Sequence, residues 1–126
     1  MKNLIVSLAV SGILLLVFQS FLFNPSASSE PPTDAKEIIE TSCYTCHSNE
    51  SSSQKAIDAL NFDQWEGYKK TKKISKLESI CEVVSEGKMP PEKYLNKNPD
   101  KALSDELKKI LCNWTDESST KLMEGN

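Results

Sequence analysis

The sequence predicts an all-α fold for a single small domain, and three observations lead to this prediction. Residues 74–86 and 104–117 each repeat apolar side chains at the spacing of one helix face. Ser104 is a favourable residue to begin the second of these helices, and Gly87 is a favourable residue to end the first. No stretch of the chain shows the apolar and polar alternation of a half-buried strand.

The N-terminal segment, residues 1–28, is predicted to be a signal peptide or an N-terminal membrane anchor with its linker. Lys2 precedes an apolar run from Leu4 to Phe23, which is typical of export segments. The run is also long enough to span a bilayer, and residues 26–29 are only a fair cleavage site, so both outcomes stay open. Either outcome places the predicted domain, residues 29–126, in an extracytoplasmic compartment such as the periplasm.

The elements of the domain follow from the pattern of apolar residues. A first helix is expected to end near Ser42, with Ile38 and Ile39 on its inner side. A polar loop at 48–54 and a helical turn at 63–68 separate it from the two longer helices. The apolar faces of those helices are expected to consist of Ile74, Leu77, Ile80, Cys81 and Val84, and of Leu103, Leu107, Ile110, Leu111 and Trp114.

The segment Cys43-Tyr44-Thr45-Cys46-His47 is the strongest chemical signal in the chain. Two thiols separated by two residues can bond the two vinyl groups of a protoporphyrin, and a histidine directly after the second thiol then lies under the iron. His47 is also the single histidine of the sequence. The segment therefore predicts one covalently bound haem c, attached through Cys43 and Cys46, with His47 as an axial ligand of the iron.

Three other interpretations of this segment explain it less well. A thioredoxin-type pair of cysteines expects a preceding strand, whereas the residues before Cys43 have a helical pattern. A zinc site would have to use His47 and its neighbour Cys46 together, which is cramped at the ~4 Å Cα spacing of adjacent residues. Ordinary disulfides leave the position of His47 without an explanation.

Met89 is the predicted sixth ligand of the iron. It follows a helix end, and Pro90 and Pro91 restrict the loop behind it, so that its thioether is held in a fixed direction. A thioether is a soft and neutral ligand that favours ferrous iron and raises the reduction potential. Such a ligand suits electron transfer.

Four motifs of the chain carry a family resemblance: Cys43–Asn49, Leu60-Asn61-Phe62 with Trp65, Lys88–Pro91 with Tyr94, and Asn98–Trp114. Together they resemble the small exported haem-binding domain family, whose members are monohaem relatives of class I cytochromes c. The resemblance covers roughly residues 37–114. It implies a cytochrome c-like helical fold wrapped around one covalent haem, with His47 and Met89 as proximal and distal ligands. In such folds the first and last helices cross.

Two further cysteines depart from the family pattern. Cys81 lies on the apolar face of its helix, whereas Cys112 lies roughly 155° from the centre of the apolar face of the last helix. In an oxidising compartment a disulfide between them is expected. The alternative makes one of them a thiolate ligand of the iron in place of Met89, with Cys81 favoured, and an intermolecular bond or a free thiol also stays open.

The charge pattern argues against nucleic acid as a partner. The chain has 15 lysines and no arginine against 18 acidic residues, for a net charge of −3. The exception is a basic run, which has two interpretations: a solvated helix face, or a positive surface for an acidic redox partner or for the haem propionates. The run consists of Lys69, Lys70, Lys72, Lys73 and Lys76.

The predicted function is one-electron transfer between partner proteins by an exported monohaem c-type cytochrome. An independent enzyme is not expected, because the chain has no histidine besides His47 for acid and base chemistry. The alternative function is binding of a diatomic gas such as NO or CO by the haem, with a Cys81 or Cys112 thiolate as sixth ligand and with the protein as a subunit of a complex. A membrane-tethered subunit of a larger respiratory complex is a third interpretation.

Overall fold

The computed structural model describes residues 31 and 33–125, and in this part of the chain it contains helices and no β-strand. The prediction of an all-α fold is therefore confirmed. The predicted signal or anchor, residues 1–28, lies outside the described residues. Among the described residues, no helix has the length and apolar character needed to cross a membrane.

The described part of the chain forms two long helices and several shorter ones that precede and separate them. The two 3₁₀ helices are Phe62–Gly67 and Pro99–Lys101. The α-helices of the described residues are α1 (Thr33–Ser42), α2 (Gln54–Ala59), α3 (Lys70–Ser85), α4 (Glu92–Leu95) and α5 (Asp105–Glu124).

Helix α5 is the centre of the fold, because both α1 and α3 pack against it. Helices α3 and α5 run antiparallel: Lys70 at the start of α3 donates to the carbonyl of Gly125 at 3.4 Å, and Cys81 near the end of α3 is bonded to Cys112 in α5. The contact between α1 and α5 is the one that the family resemblance implies.

The apolar core lies where these three helices meet the Phe62–Gly67 turn. Leu77 and Leu111 are completely buried at its centre. The core is small, so each of its members matters to stability. Its buried apolar residues are Ala35, Ile38, Ile39, Trp65, Leu77, Ile80, Val84, Leu111 and Trp114.

Helix α3 begins earlier than predicted, at Lys70 rather than Ile74. The difference arises because Lys73, within the predicted solvated run, is only 8% exposed. Its ammonium is 2.9 Å from the Glu66 carboxylate and 5.8 Å from the centre of the Trp65 ring. The interpretation of the basic run as a solvated face is therefore wrong for Lys73.

Helix α5 continues to Glu124, about two turns beyond the predicted end at Glu117. Its predicted start is confirmed, because the Ser104 hydroxyl accepts a hydrogen bond from the Leu107 amide at 3.3 Å. Beyond Trp114 the buried face of the helix consists of small polar residues that do not add to the apolar pattern. They are Thr115, Ser118 and Ser119.

Candidate functional site

A cavity of about 330 Å³ lies between the end of α1, α2, the C-terminal half of α3 and the loop before α4. Cys43, Cys46, His47 and Met89 all line it, although Met89 is distant from the other three in sequence. Two thiols, an imidazole and a thioether therefore face one mainly apolar space. The other apolar residues around it are Ile39, Ala56, Ala59, Leu60, Phe62, Ile80, Val83, Val84, Pro90, Pro91, Leu103 and Leu111.

The turn after α1 presents the two thiols and the imidazole together. The amide of Cys43 donates to the Ile39 carbonyl at 2.9 Å, so the turn continues directly from the helix. The amides of Cys46 and His47 then donate back to the Cys43 carbonyl at 3.1 and 3.0 Å. This tight turn brings the three side chains to the same wall of the cavity.

The His47 ring is held by two backbone carbonyls. Its Nδ1 lies 3.1 Å from the Ala56 oxygen and 3.0 Å from the Leu60 oxygen. Because carbonyl oxygens only accept, Nδ1 must carry the proton. In the neutral ring with this tautomer, the other nitrogen, Nε2, has a free lone pair, which is the form of imidazole that binds a metal.

Asp63 holds the outer side of the same turn. One carboxylate oxygen accepts from the Tyr44 hydroxyl and the other accepts from the Asn49 amide at 2.7 Å. These bonds hold the pKa of the Asp63 carboxyl below its usual value and raise the pKa of Tyr44. The carboxylate therefore links the Phe62–Gly67 turn to both ends of the cysteine and histidine segment.

Asn61 holds the same segment from the buried side, as Asp63 does from the outer side. It is fully buried, its side-chain amide donates to Asn49 at 2.8 Å, and its side-chain oxygen accepts from the Asp63 amide at 3.0 Å. Its own amide donates to the Tyr68 hydroxyl at 3.0 Å. Together these bonds hold the segment that follows His47 against the Phe62–Gly67 turn.

Burial raises the pKa of the Cys43 thiol to about 11, and the neighbouring Cys46 adds to the effect. At neutral pH Cys43 is therefore a neutral thiol rather than a thiolate. Among residues 31 and 33–125, moreover, no group of three or more His, Cys, Asp or Glu side chains is placed to hold a metal ion.

Met89 reaches the cavity from the loop that follows α3. Gly87 has a φ of 70°, a left-handed conformation that glycine adopts without strain, and it turns the chain at the helix end. The amides of Lys88 and Met89 both donate to the Val83 carbonyl, at 2.9 and 3.1 Å. The backbone of Met89 is thereby fixed to α3.

Cys81 and Cys112 form the predicted disulfide, with a separation of 1.99 Å between the sulfur atoms. Neither residue is among those that line the cavity. Their neighbours in sequence, Ile80 and Leu111, do line it. In this disulfide neither sulfur is a thiolate, so the alternative thiolate ligand to iron gains no support from the geometry.

The basic run does not contribute to the cavity. None of its five lysines is among the lining residues. Lys72 lies 4.3 Å from the centre of the Tyr68 ring, and Lys76 donates to the carbonyl of Ala59. The structure therefore gives no role at the cavity to this run as a counter-charge for haem propionates.

The donor set fits a haem well, because an apolar cavity contains two thiols, a histidine with a free Nε2 and a methionine thioether. A comparison with protein families matches residues 22–117 to the haem-binding domain family. The chain belongs to this family. No curated protein and no solved structure matches the chain significantly.

Membership of the haem-binding domain family makes the chain a haem-binding protein. The matched region contains all four of the sequence-predicted donors, Cys43, Cys46, His47 and Met89, and it begins earlier than the resemblance from motifs, which started near residue 37.

Sequence reasoning did not identify the residues around these donors. Asp63 belongs to a predicted turn with no assigned role, and Asn61 belongs to the Leu60-Asn61-Phe62 motif without a predicted role in holding the cysteine and histidine segment. Asn61 is polar and interrupts an apolar stretch just before the helical turn. Such a residue often caps the start of a helix, so this pattern could have indicated the cap. The carbonyls that hold His47 have no sequence signal, because any residue supplies one.

Proposed function

We propose that this haem-binding protein is an exported monohaem c-type cytochrome that transfers single electrons between partner proteins. The observation that carries the proposal is that Cys43, Cys46, His47 and Met89 line the same cavity. Cys43 and Cys46 would hold the haem through thioether bonds, and His47 and Met89 would be its axial ligands. A haem bound in this way supplies an iron that alternates between the ferric and ferrous states.

The side chains around the cavity have the properties that electron transfer needs. The carbonyls of Ala56 and Leu60 hold the His47 ring in one orientation, with Nδ1 as the donor. Met89 offers a neutral thioether, which favours the ferrous state. The mainly apolar lining offers few polar partners to water.

Electron transfer does not require an acid or base catalyst in the lining. In the described part of the chain no Asp or Glu lines the cavity. His47, the one histidine, is committed to the iron in this proposal.

The disulfide between Cys81 and Cys112 supports the proposed compartment. Stable disulfides form in extracytoplasmic compartments and are rare in the cytosol. Covalent attachment of haem and export through residues 1–28, cleaved or retained as a tether, are parts of the same proposal.

The test of the axial ligands is the absorption spectrum of the purified protein in both redox states. We expect a weak long-wavelength band in the ferric form, as in cytochromes with His and Met ligands. Met89→Ala should abolish this band and lower the reduction potential, because the soft ligand is lost. Met123→Ala is the matched control, since Met123 is 55% exposed and does not line the cavity.

A different result would point to other ligands. If Met89→Ala leaves the ferric band unchanged, Met89 does not bind the iron and the proposed ligand pair is wrong. A thiolate signature that disappears in Cys81→Ser would favour the gas-binding alternative instead.

A further inference from the structure

Lys55 is the one lysine that lines the cavity. Within residues 31 and 33–125, twenty residues line this space, and Lys55 is the one member of the set with a permanently charged side chain. It is exposed to solvent as well, so it lies at the mouth of the cavity rather than deep inside it. A cation in this place stands out because the remaining lining is mostly aliphatic and aromatic.

The Lys55 ammonium is not committed to a protein carboxylate. Among the described residues, no Asp or Glu oxygen lies within 4.0 Å of it. Other lysines near the core are engaged, since Lys73 pairs with Glu66 and Lys76 donates to a carbonyl. Lys55 is therefore a cation at the cavity whose charge is available to a ligand.

Lys55 is also placed by the same helix that orients His47. It is the second residue of α2, and its neighbour Ala56 supplies one of the two carbonyls that hold the imidazole. Ser53 caps this helix by accepting a hydrogen bond from the Ala56 amide at 3.3 Å. The backbone of Lys55 is thus fixed relative to the imidazole by a short, capped helix.

A haem brings two propionate carboxylates to its site. A carboxylate at the edge of an apolar cavity is costly unless a cation or several donors compensate for lost hydration. The chain has no arginine, and the basic run does not line the cavity. The remaining cation at the cavity is Lys55.

We propose that Lys55 forms an ion pair with a propionate of the bound haem and thereby raises its reduction potential. The inference rests on the proposed function, since it requires a haem in this cavity. A positive charge near the haem favours the ferrous state, which carries one positive charge fewer at the iron. Removing the charge should therefore favour the ferric state.

The experiment compares the haem-loaded protein with Lys55→Gln, Lys55→Arg and the control Lys109→Gln. Lys109 is an exposed lysine of α5 that does not line the cavity, so the control loses the same net charge elsewhere. Intact mass first establishes that every variant carries haem. Redox titration then measures the potential, and resonance Raman spectroscopy measures the vibrations of the propionates.

We expect Lys55→Gln to lower the equilibrium constant for reduction about fivefold, the size of a Coulomb effect between partly solvated charges. It should also shift a propionate vibration, and Lys55→Arg should restore both properties. Lys109→Gln should change neither. The propionate vibration distinguishes a direct ion pair from a more distant charge effect, because a distant charge would change the reduction potential alone.

Two results would overturn the inference in distinguishable ways. If all variants carry haem and Lys55→Gln behaves like Lys109→Gln, Lys55 does not pair with a propionate, and the proposed function stands. If the unmodified protein carries no haem, the proposed function fails and the role of Lys55 fails with it.

Discussion

His47 is oriented by the backbone carbonyls of Ala56 and Leu60, not by a carboxylate. A carboxylate partner would make the imidazole more basic and would stabilise ferric iron, whereas neutral carbonyls fix the tautomer with a weaker effect. This choice of partner agrees with Met89 as a neutral sixth ligand. At the scale of single residues, neither proposed axial ligand thus adds the negative charge that would favour the ferric state.

Asp63→Ala should destabilise the haem-loaded protein at neutral pH, because Tyr44 and Asn49 both lose their acceptor. The pKa of Asp63 is lowered in the folded protein, so its stabilising effect is present above its ordinary pKa of about 4 and is lost as the pH falls through the folded value. The measurement is the melting temperature from pH 7 down to pH 3.

The difference in melting temperature between the unmodified protein and Asp63→Ala should shrink as the solution becomes acidic. Asp116→Ala is the control, because Asp116 is exposed on α5. A difference that stays constant across the pH range would contradict the role given to the ionised carboxylate.

The candidate haem donors that line the cavity could be identified from the sequence, whereas the residues that position them could not. Cys43, Cys46 and His47 are adjacent in a spacing with few other chemical explanations. Asp63 and Lys55 act through three-dimensional proximity to a turn and a cavity, and nothing in their local sequence shows either. Polar residues in short turns are common, so their type alone carries little information.

At the scale of elements, the site depends on how α3 is fixed to α5. Ile80, Val83 and Val84 of α3 and Leu111 of α5 form one wall of the cavity. The disulfide between Cys81 and Cys112 joins the two helices at this wall. It therefore stabilises the cavity without taking part in it.

Replacing both cysteines in Cys81→Ser/Cys112→Ser should lower the free energy of unfolding by about 3 kcal/mol, since the bridge closes a loop of roughly thirty residues. Denaturant unfolding of the haem-loaded protein measures this change. The absorption spectrum should stay as in the unmodified protein, because neither sulfur lines the cavity. A thiolate signature in the unmodified protein that is lost in this variant would show that one of these sulfurs binds the iron.

The existence of α3 and α5, the start of α5 at Ser104 and the stop of α3 at Gly87 could be predicted, but the start of α3 and the end of α5 could not. Lys73 is buried through an ion pair with Glu66, so the first turn of α3 has no apolar residue to mark it. Thr115 and Ser118 are buried near the end of α5, where close packing against a neighbour favours small residues over large apolar ones. Hydrophobic periodicity detects neither arrangement.

At the scale of the whole molecule, a bound haem would add apolar contacts where the protein core is thin. The described residues contain nine buried apolar side chains, and several of them, including Ile39, Ile80 and Leu111, also line the cavity. A ligand that binds only the folded state stabilises it. The haem-free chain should therefore unfold more easily than the haem-loaded protein.

Carbon monoxide distinguishes electron transfer from gas binding in the intact protein. With His47 and Met89 both on the iron, the ferrous protein should bind carbon monoxide poorly, and Met89→Ala should bind it readily because a coordination position opens. The measurement is the ferrous absorption spectrum before and after addition of the gas, with Met123→Ala as the control. Rapid binding by the unmodified protein would favour the gas-binding alternative.

The central claim is that one haem is bonded to the sulfur atoms of Cys43 and Cys46, and the intact mass tests it most directly. The protein should be produced in cells that attach haem covalently and should be denatured before the measurement, so that unattached haem is lost. We predict the mass of the exported chain plus one haem, and only the bare chain for the variant with both cysteines replaced by serine. A colourless unmodified protein at the mass of the bare chain would contradict the account.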